Sequence, residues 1–331
     1  MKRVAINGFG RIGRLVLRAL WRDEEVQIVA INDLAPSSTL AHLLEFDSAH
    51  GRWEEEVKSV GEALVIGEKR IPVFSEKDPT QLPWGELEVD LVLECSGVFR
   101  TRQGMEGHLR AGAQKVLLSA PAKDEGILTL VEGVNDHLLT KEEKLMSNAS
   151  CTTNCLAPVA KVLHQEFGIK RGFMTTVHAY TGDQNLQDGP HRDLRRARAA
   201  AASIIPTSTG ATQALGKVMP ELAGKLTGMA MRVPVITGSS IDLNVILERP
   251  ADRESVNRVL EEASRTFLRG ILSYSERPLV SSDIIGDPHA AIVNGDLTEV
   301  LDDMVKVVAW YDNEAGYAAR LASMAKKICA L

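Results

Sequence analysis

The chain has 331 residues, 44% hydrophobic and 25% charged; this exceeds what a single hydrophobic core supports, so two globular domains are expected, with nothing fibrous or disordered. The net charge of −6 gives no electrostatic footprint for nucleic acid or an anionic membrane, no apolar run approaches the ~20 residues of a membrane span, and the start of the chain lacks the apolar stretch of a signal peptide. The four cysteines, Cys95, Cys151, Cys155 and Cys329, are too few and too irregular for a disulfide framework or a zinc pattern, which points to a reducing cytoplasm and no metal.

Along the first half, short β-branched runs alternate with helical periodicity. Val4 to Ile6 reads as a strand, the stripe Ile12, Leu15, Val16, Ala19 and Leu20 as a helix, and Ile28 to Ile31 as the next strand. Val89 to Leu93, Val116 to Leu118 and Ile127 to Val131 continue the series, so an α/β fold with a doubly wound parallel sheet of the Rossmann type is predicted. After Ser147-Asn148-Ala149 the texture changes. A helical stripe (Leu156, Val159, Leu163, Phe167) leads into longer strand-like stretches at Phe173 to Tyr180, Ile241 to Leu247 and Met304 to Trp310, with few crossover helices between them. This predicts an α+β domain with a mixed or antiparallel sheet. The expected division is 1–149 for a dinucleotide-binding domain and 150–314 for a catalytic domain. A terminal helix over about 315–331 (Ala318, Leu321, Met324, Ala325, Ile328) joins the first domain.

Gly8-Phe9-Gly10-Arg11-Ile12-Gly13 fits G-x-G-x-x-G between a strand and a helix, and Asp33 follows Gly13 by 20 residues at the end of the next strand. Small residues let the backbone approach a pyrophosphate, which helix N-terminal amides then bind, and Asp33 is placed to accept from the adenosine ribose hydroxyls. The same glycines alone fit a tight strand-to-helix turn, and Asp33 alone fits a turn or cap residue.

Ser150-Cys151-Thr152-Thr153-Asn154 precedes an apolar helical stripe, which places Cys151 at a helix N-terminus, a position that lowers a thiol pKa. Most free cysteines are small buried hydrophobes, and Cys155, one turn further on, reads as packing. His178, in Thr175-Thr176-Val177-His178-Ala179-Tyr180-Thr181, is a polar break in a strand-like run. It is either a satisfied core histidine or the base that pairs with Cys151 as thiolate and imidazolium.

Ala149-Ser150-Cys151-Thr152-Thr153-Asn154-Cys155-Leu156-Ala157-Pro158 resembles the active-site signature of the glyceraldehyde-3-phosphate dehydrogenases. Ile6 to Arg14, Leu194 to Ala200, Gly228 to Pro234 and Trp310 to Glu314 agree, so the resemblance spans essentially the whole chain. It implies NAD-dependent oxidation of D-glyceraldehyde 3-phosphate to 1,3-bisphosphoglycerate with inorganic phosphate as the second substrate, in a cytoplasmic homotetramer. Cys151 would be the nucleophile and His178 the base and acid, and the Cys151 amide and protonated His178 the oxyanion donors.

The resemblance further implies that Thr181, Arg232 and the cofactor hold the substrate's own phosphate. Ser150, Thr152, Thr209, Gly210 and Arg196 would hold the attacking phosphate. Arginine forks and hydroxyls suit phosphate oxygens, and Thr207 to Gly210 before an apolar helical segment fits an anion site; Leu194 to Arg198 equally reads as a solvated basic helix face. On the cofactor, the resemblance adds Arg11 and Ile12 along the pyrophosphate, Lys77 and Phe99 around the adenine, Ser119 near the nicotinamide ribose and Asn313 on the carboxamide.

Three departures from the commonest family pattern stand out: Val235 to Ser240, Ala315 and Gly189. The first two are expected to touch subunit contacts and packing, the third to bear on cofactor choice. An erythrose-4-phosphate dehydrogenase shares these features with a different sugar and a different fate for the thioester. A non-enzymatic NAD-binding regulator or surface protein is opposed by the presence of Cys151, His178, Arg196 and Arg232 together.

Overall fold

The computed structural model describes the whole chain, Met1–Leu331, which divides into two compact units. The first comprises Met1–Leu130, Leu138–Ala149 and Ala318–Leu331, the second Val131–His137 and Ser150–Tyr317.

In chain order the first unit contains β1 (Lys2–Asn7), α1 (Arg11–Leu20), β2 (Val26–Asn32), α2 (Ser37–Glu45), β3 (Val57–Ser59), β4 (Ala63–Ile66) and β5 (Lys69–Phe74). Then follow β6 (Leu91–Glu94), α3 (Arg102–Arg110), β7 (Lys115–Leu118), β8 (Leu128–Thr129) and β9 (Leu145–Ser147). One nine-stranded sheet runs β3-β4-β5-β2-β1-β6-β7-β9-β8. From β5 to β8 every pairing is parallel. Val4, Ala5, Ile6, Leu91, Val92 and Leu93 are fully buried because β1 and β6 are covered on both faces, which is why they read as unbroken apolar runs. The periodicity of α1 buries Leu15, Val16, Leu17 and Leu20 and leaves Arg18 to donate to Leu44 O at 2.6 Å.

One edge departs from the wholly parallel expectation: β3, β4 and β5 pair antiparallel. These strands are three to six residues long, too short for their alternation to register, and Gly67 with φ +57° is the turn signal between β4 and β5.

The second unit follows with α4 (Cys151–Phe167), β10 (Ile169–Ala179), β11 (Ile205–Ser208), α5 (Ala211–Val218), β12 (Leu226–Val233), β13 (Ser239–Leu247) and α6 (Arg253–Arg265). It continues with β14 (Leu272–Ser275), β15 (Ala291–Asn294), β16 (Glu299–Leu301) and β17 (Met304–Tyr311); α7 (Ala315–Ala330) closes the chain. Its eight strands form a mixed sheet ordered β11-β12-β10-β13-β17-β15-β14, with β16 on β17. β10 and β12, and β14 and β15, pair in parallel, the others antiparallel. Helix α4 lies against β10, β13, β15 and β17. Alternation along β13 buries Ile241, Leu243 and Val245 on that side and turns Asp242, Asn244 and Ile246 to the other. On that other face Phe173 is 68% exposed and Val177 39%.

Candidate active site

Within the first unit, a cavity of about 440 Å³ opens at the carboxyl ends of β1, β2 and β6 and is lined by Gly8, Gly10, Asp33, Lys77, Val98 and Phe99 among others. Each motif glycine has its own reason. Gly8 has φ +89°, and a Cβ there would lie 2.4 Å from Ser96 N; one on Gly13 would lie 2.2 Å from Gly8 O, so strand and helix meet only because both are bare. A Cβ on Gly10, the N-cap of α1, would meet nothing within 4 Å, which leaves the helix N-terminus open to a pyrophosphate. Asp33 accepts from Phe9 N at 2.7 Å and Ala35 N at 2.9 Å; each oxygen keeps a lone pair for a ribose hydroxyl. Leu34, Val98 and Phe99 supply an apolar wall suited to adenine. The residues present therefore fit a dinucleotide.

The Arg11 side chain is committed elsewhere. It pairs with Asp47 and lies 3.3 Å from His50 Nδ1, so a pyrophosphate would meet its amide. Ile12 packs against the core. Ser119 N donates to Glu94 O at 3.0 Å, and Ser119 is not among the cavity's lining residues.

In the second unit Cys151 is the first residue of α4 and partly exposed. Ser150 caps the helix by accepting from Thr153 N at 3.1 Å. His178, near the end of β10, is 4% exposed and brings Nε2 to 3.5 Å from Cys151 Sγ. Its Nδ1 is 2.7 Å from Ala179 O and 2.6 Å from Arg232 Nη1, which also donates to Ala179 O at 3.1 Å. The carbonyl requires a protonated Nδ1, whereas the guanidinium requires its lone pair; only the first arrangement leaves Nε2 free to accept a proton from Sγ.

Burial pushes the Cys151 thiol above its ordinary value, against the pull of the Arg232 charge and of Thr152. Burial, reinforced by Arg232, draws His178 down to about 3 despite its bond to Ala179 O. Burial thus works, at both groups, against the thiolate–imidazolium form, while the Arg232 charge and Thr152 favour the thiolate.

Arg196 Nε donates to Thr207 Oγ1 at 3.0 Å and its Nη1 pairs with Asp183. Leu194 to Arg198 is a turn, not a helix face. Of the two guanidinium groups only that of Arg232 touches the imidazole; Arg196 adds its charge from further away and, like Arg232, lowers the His178 pKa. Thr209 Oγ1 accepts from Ala211 N at 3.2 Å, and Gly210 caps α5 with nothing within 4 Å of a Cβ position. Thr181 follows β10, its amide donating to Gln184 Oε1 at 3.3 Å. Asn313, 5% exposed, accepts from Ser239 Oγ at 2.8 Å.

Two supporting residues escaped sequence reasoning. Tyr311 OH lies 2.8 Å from both Thr152 Oγ1 and Thr176 Oγ1, and its ring meets that of His178 edge-on at 5.9 Å. The only signal was its place in the Trp310 to Glu314 match. Ser239, in the divergent Val235 to Ser240 segment, accepts from Ala179 N at 3.1 Å while donating to Asn313. That departure therefore braces the residue beside His178, in addition to any packing role. Ala315 opens α7, its amide on Asp312 Oδ1 at 3.0 Å. Gly189 N donates to Ala197 O at 2.9 Å. Cys155 is wholly buried, as packing requires.

Comparison with known families agrees with this geometry. The NAD binding domain of glyceraldehyde 3-phosphate dehydrogenase matches residues 2–102, and the C-terminal domain of glyceraldehyde 3-phosphate dehydrogenase matches residues 150–313. The glyceraldehyde-3-phosphate dehydrogenase of Mycolicibacterium smegmatis is 54% identical over 330 residues, covering 97% of each chain. That of Geobacillus stearothermophilus is 55% identical over 328 residues, 98% of each. That of Borreliella burgdorferi is 54% identical over 334 residues, covering 98% of this chain and 99% of the relative. The chain belongs to the glyceraldehyde-3-phosphate dehydrogenase family.

Proposed function

We infer that this NAD-dependent glycolytic oxidoreductase oxidises D-glyceraldehyde 3-phosphate and transfers the acyl group to inorganic phosphate, forming 1,3-bisphosphoglycerate. The observation that carries the reading is the 3.5 Å approach of Cys151 Sγ to His178 Nε2 beside the Arg232 guanidinium. Bound NAD supplies a two-electron acceptor for hydride.

Sγ attacks the aldehyde carbon as its proton passes to Nε2. The protonated imidazole and the Cys151 amide stabilise the oxyanion, which takes the proton back as a thiohemiacetal hydroxyl. As hydride leaves that carbon, Nε2 receives the hydroxyl proton and a thioester remains, oxidised by two electrons. A phosphate oxygen then attacks the thioester carbonyl, the C–S bond breaks, and Sγ recovers a proton from His178. Oxidation energy stays in the acyl phosphate.

In this scheme Arg232 and Thr181 hold the substrate's own phosphate, and Ser150, Thr152, Arg196, Thr209 and Gly210 the attacking one. Two guanidinium groups whose charges both reach His178 support the use of two anions. Gly8, Gly10, Gly13, the backbone of Arg11 and Ile12, Asp33, Lys77 and Phe99 serve the dinucleotide, with Ser119 and Asn313 at its nicotinamide end. Residues 1–149 with the terminal helix form the cofactor domain and 150–314 the catalytic one. The exposed apolar sheet face around Phe173 and Val177 supports a homotetramer, and cytoplasmic residence accords with the family and the free cysteines.

NADH absorbance with NAD and either glyceraldehyde 3-phosphate or erythrose 4-phosphate, with and without phosphate, tests the reading. Faster turnover of the first sugar that requires phosphate is expected; phosphate-independent oxidation favouring the second would replace it with an erythrose-4-phosphate dehydrogenase.

A further inference from the structure

Glu94, the last residue of β6, is wholly buried, and nothing in the reaction above uses it. Its carboxylate is satisfied by neutral groups. Oε2 accepts from Asn7 Nδ2 at 2.5 Å and faces His108 Nε2 at 3.0 Å. Oε1 accepts from Ser96 N at 2.8 Å and Ser96 Oγ at 2.5 Å.

The proton on His108 is placed by a further contact. Trp84 Nε1, which can only donate, lies 3.0 Å from His108 Nδ1, so Nδ1 accepts and Nε2 carries the hydrogen that points at Glu94. Both oxygens of Glu94 thus face two donor groups each. Asn7 is oriented from its other side, because its Oδ1 accepts from Asn32 Nδ2 at 2.7 Å. Asn32 in turn holds Glu76 through Glu76 N at 2.8 Å and Glu76 O at 2.9 Å.

This network joins the chain segments that wall the dinucleotide cavity: Asn7, Gly8, Asn32, Glu76 and Ser96 all line it. Tolerances there are small. Ser96 N lies where a Cβ on Gly8 would come within 2.4 Å, so a shift of the Ser96 segment bears directly on the glycine turn.

We propose that Glu94 is a positioning residue for the cofactor, a buried carboxylate that locks the Asn7-Gly8 turn and the Ser96 segment into the shape the dinucleotide fits. Trp84 and His108 act behind it as a relay that fixes donor direction. The proposal rests on the reading of this cavity as the NAD site.

Glu94→Gln preserves size but turns an NH2 toward donors whichever way the amide lies. Its NAD dissociation constant, from titration of protein fluorescence, is expected to rise at least about tenfold, and KM for NAD with it. At saturating NAD, kcat and KM for the aldehyde should stay within about twofold, and Glu94→Asp, which keeps the charge, should recover part of the loss. A general structural role would instead raise both KM values together and lower kcat at saturating NAD, and that result overturns the proposal. So does NAD affinity within twofold of the unmodified enzyme.

If Glu94→Gln does not fold, Trp84→Phe decides. Loss of the indole donor frees His108 to carry its proton on Nδ1, so NAD binding should weaken about threefold or more, with the Nδ1–H tautomer visible in ¹⁵N spectra of His108. Unchanged affinity overturns the inference. Failure of the unmodified enzyme to bind NAD at all would refute the cofactor reading itself.

Discussion

His178 and Arg232 are register partners on the parallel strands β10 and β12, and the Arg232 guanidinium shares the carbonyl of Ala179 with the His178 imidazole. Arginine is therefore both a cation whose charge acts on the reacting sulfur and a competitor for Nδ1. A substrate phosphate that engages the guanidinium would relieve that competition and leave Nδ1–H on Ala179 O, with Nε2 ready to accept.

Arg232→Leu should raise KM for the aldehyde and slow alkylation of Cys151 by iodoacetamide at pH 7 by roughly tenfold, because the charge that lowers the thiol pKa is gone. Arg232→Lys should keep alkylation within about threefold while KM stays high, since a point charge does not reproduce the fork. Equal alkylation rates in all three proteins would show that the charge does not act on Sγ.

The assignment of nucleophile and base makes a separable prediction. Cys151→Ser should lose more than about a hundredfold in kcat, ~2.7 kcal/mol of barrier, while NAD binding stays near that of the unmodified enzyme, because the cavity that fits NAD is lined wholly by first-unit residues. His178→Asn should lose about 10²–10⁴. Steady-state rates alongside NAD titration check both; loss of NAD affinity parallel to kcat would count against the nucleophile.

Much of this arrangement was legible because the signals were local. The Gly8 to Gly13 spacing, the stripe of α4 and the long β-branched run holding His178 each belong to one turn or one element, Asp33 lies just one strand beyond the glycines, and each sits on the element expected. What escaped depends on partners distant in sequence. Asp47 captures the Arg11 side chain 36 positions away, and Tyr311 reaches Thr152 across 159. The direction of the Cys151 pKa is of the same kind. A helix N-terminus can be read from a stripe of leucines, but the burial that opposes it belongs to the folded surroundings. The β3–β5 edge failed for a different reason, strands too short to display a period.

Acid stability should carry the mark of His178. Its value is about 3 in the folded chain against an ordinary 6.5, so between those limits the unfolded chain binds more protons and stability falls as pH is lowered; above 6.5 the group contributes no slope. His178→Asn should flatten the profile by up to one proton, about 1.4 kcal/mol per pH unit. Asp47, held below the carboxylate range against its own burial by Arg11 and by the His50 and Ala49 amides, adds loss of the same sign that this variant leaves in place. Urea midpoints at pH 7, 5.5 and 4 give the comparison, and parallel profiles would contradict a neutral buried imidazole.

Association should depend on the open face of the second sheet. Light scattering at micromolar concentration is expected to give four times the 36.0 kDa chain mass. Phe173→Lys, a charge placed on a side chain 68% exposed in the single chain, should shift the mass downward at equal concentration if that face is covered. A monomer mass for the unmodified protein would refute the tetramer.

Cofactor choice turns on Asp33. The carboxylate is pinned by Phe9 N and Ala35 N within the cavity, and a 2′-phosphate beside it meets like charge in a partly desolvated groove. Neighbouring hydroxyls offer little relief, since Ser37 Oγ is already engaged with Ser59 Oγ at 2.8 Å and Gly61 O at 2.9 Å. Lys77 lines the same cavity, but so does the oppositely charged Glu76. Gly189 removes bulk from its loop, yet room alone does not compensate a charge. The expected kcat/KM with NAD therefore exceeds that with NADP by at least about tenfold, ~1.4 kcal/mol. Asp33→Ala narrows the gap from both sides: it lifts the repulsion against NADP, and by stripping the acceptor from the Phe9 and Ala35 amides it loosens the glycine turn and weakens NAD as well. Comparable efficiency with both cofactors in the unmodified enzyme would show that Lys77 and the space left by Gly189 outweigh the carboxylate, and would remove Asp33 as the determinant.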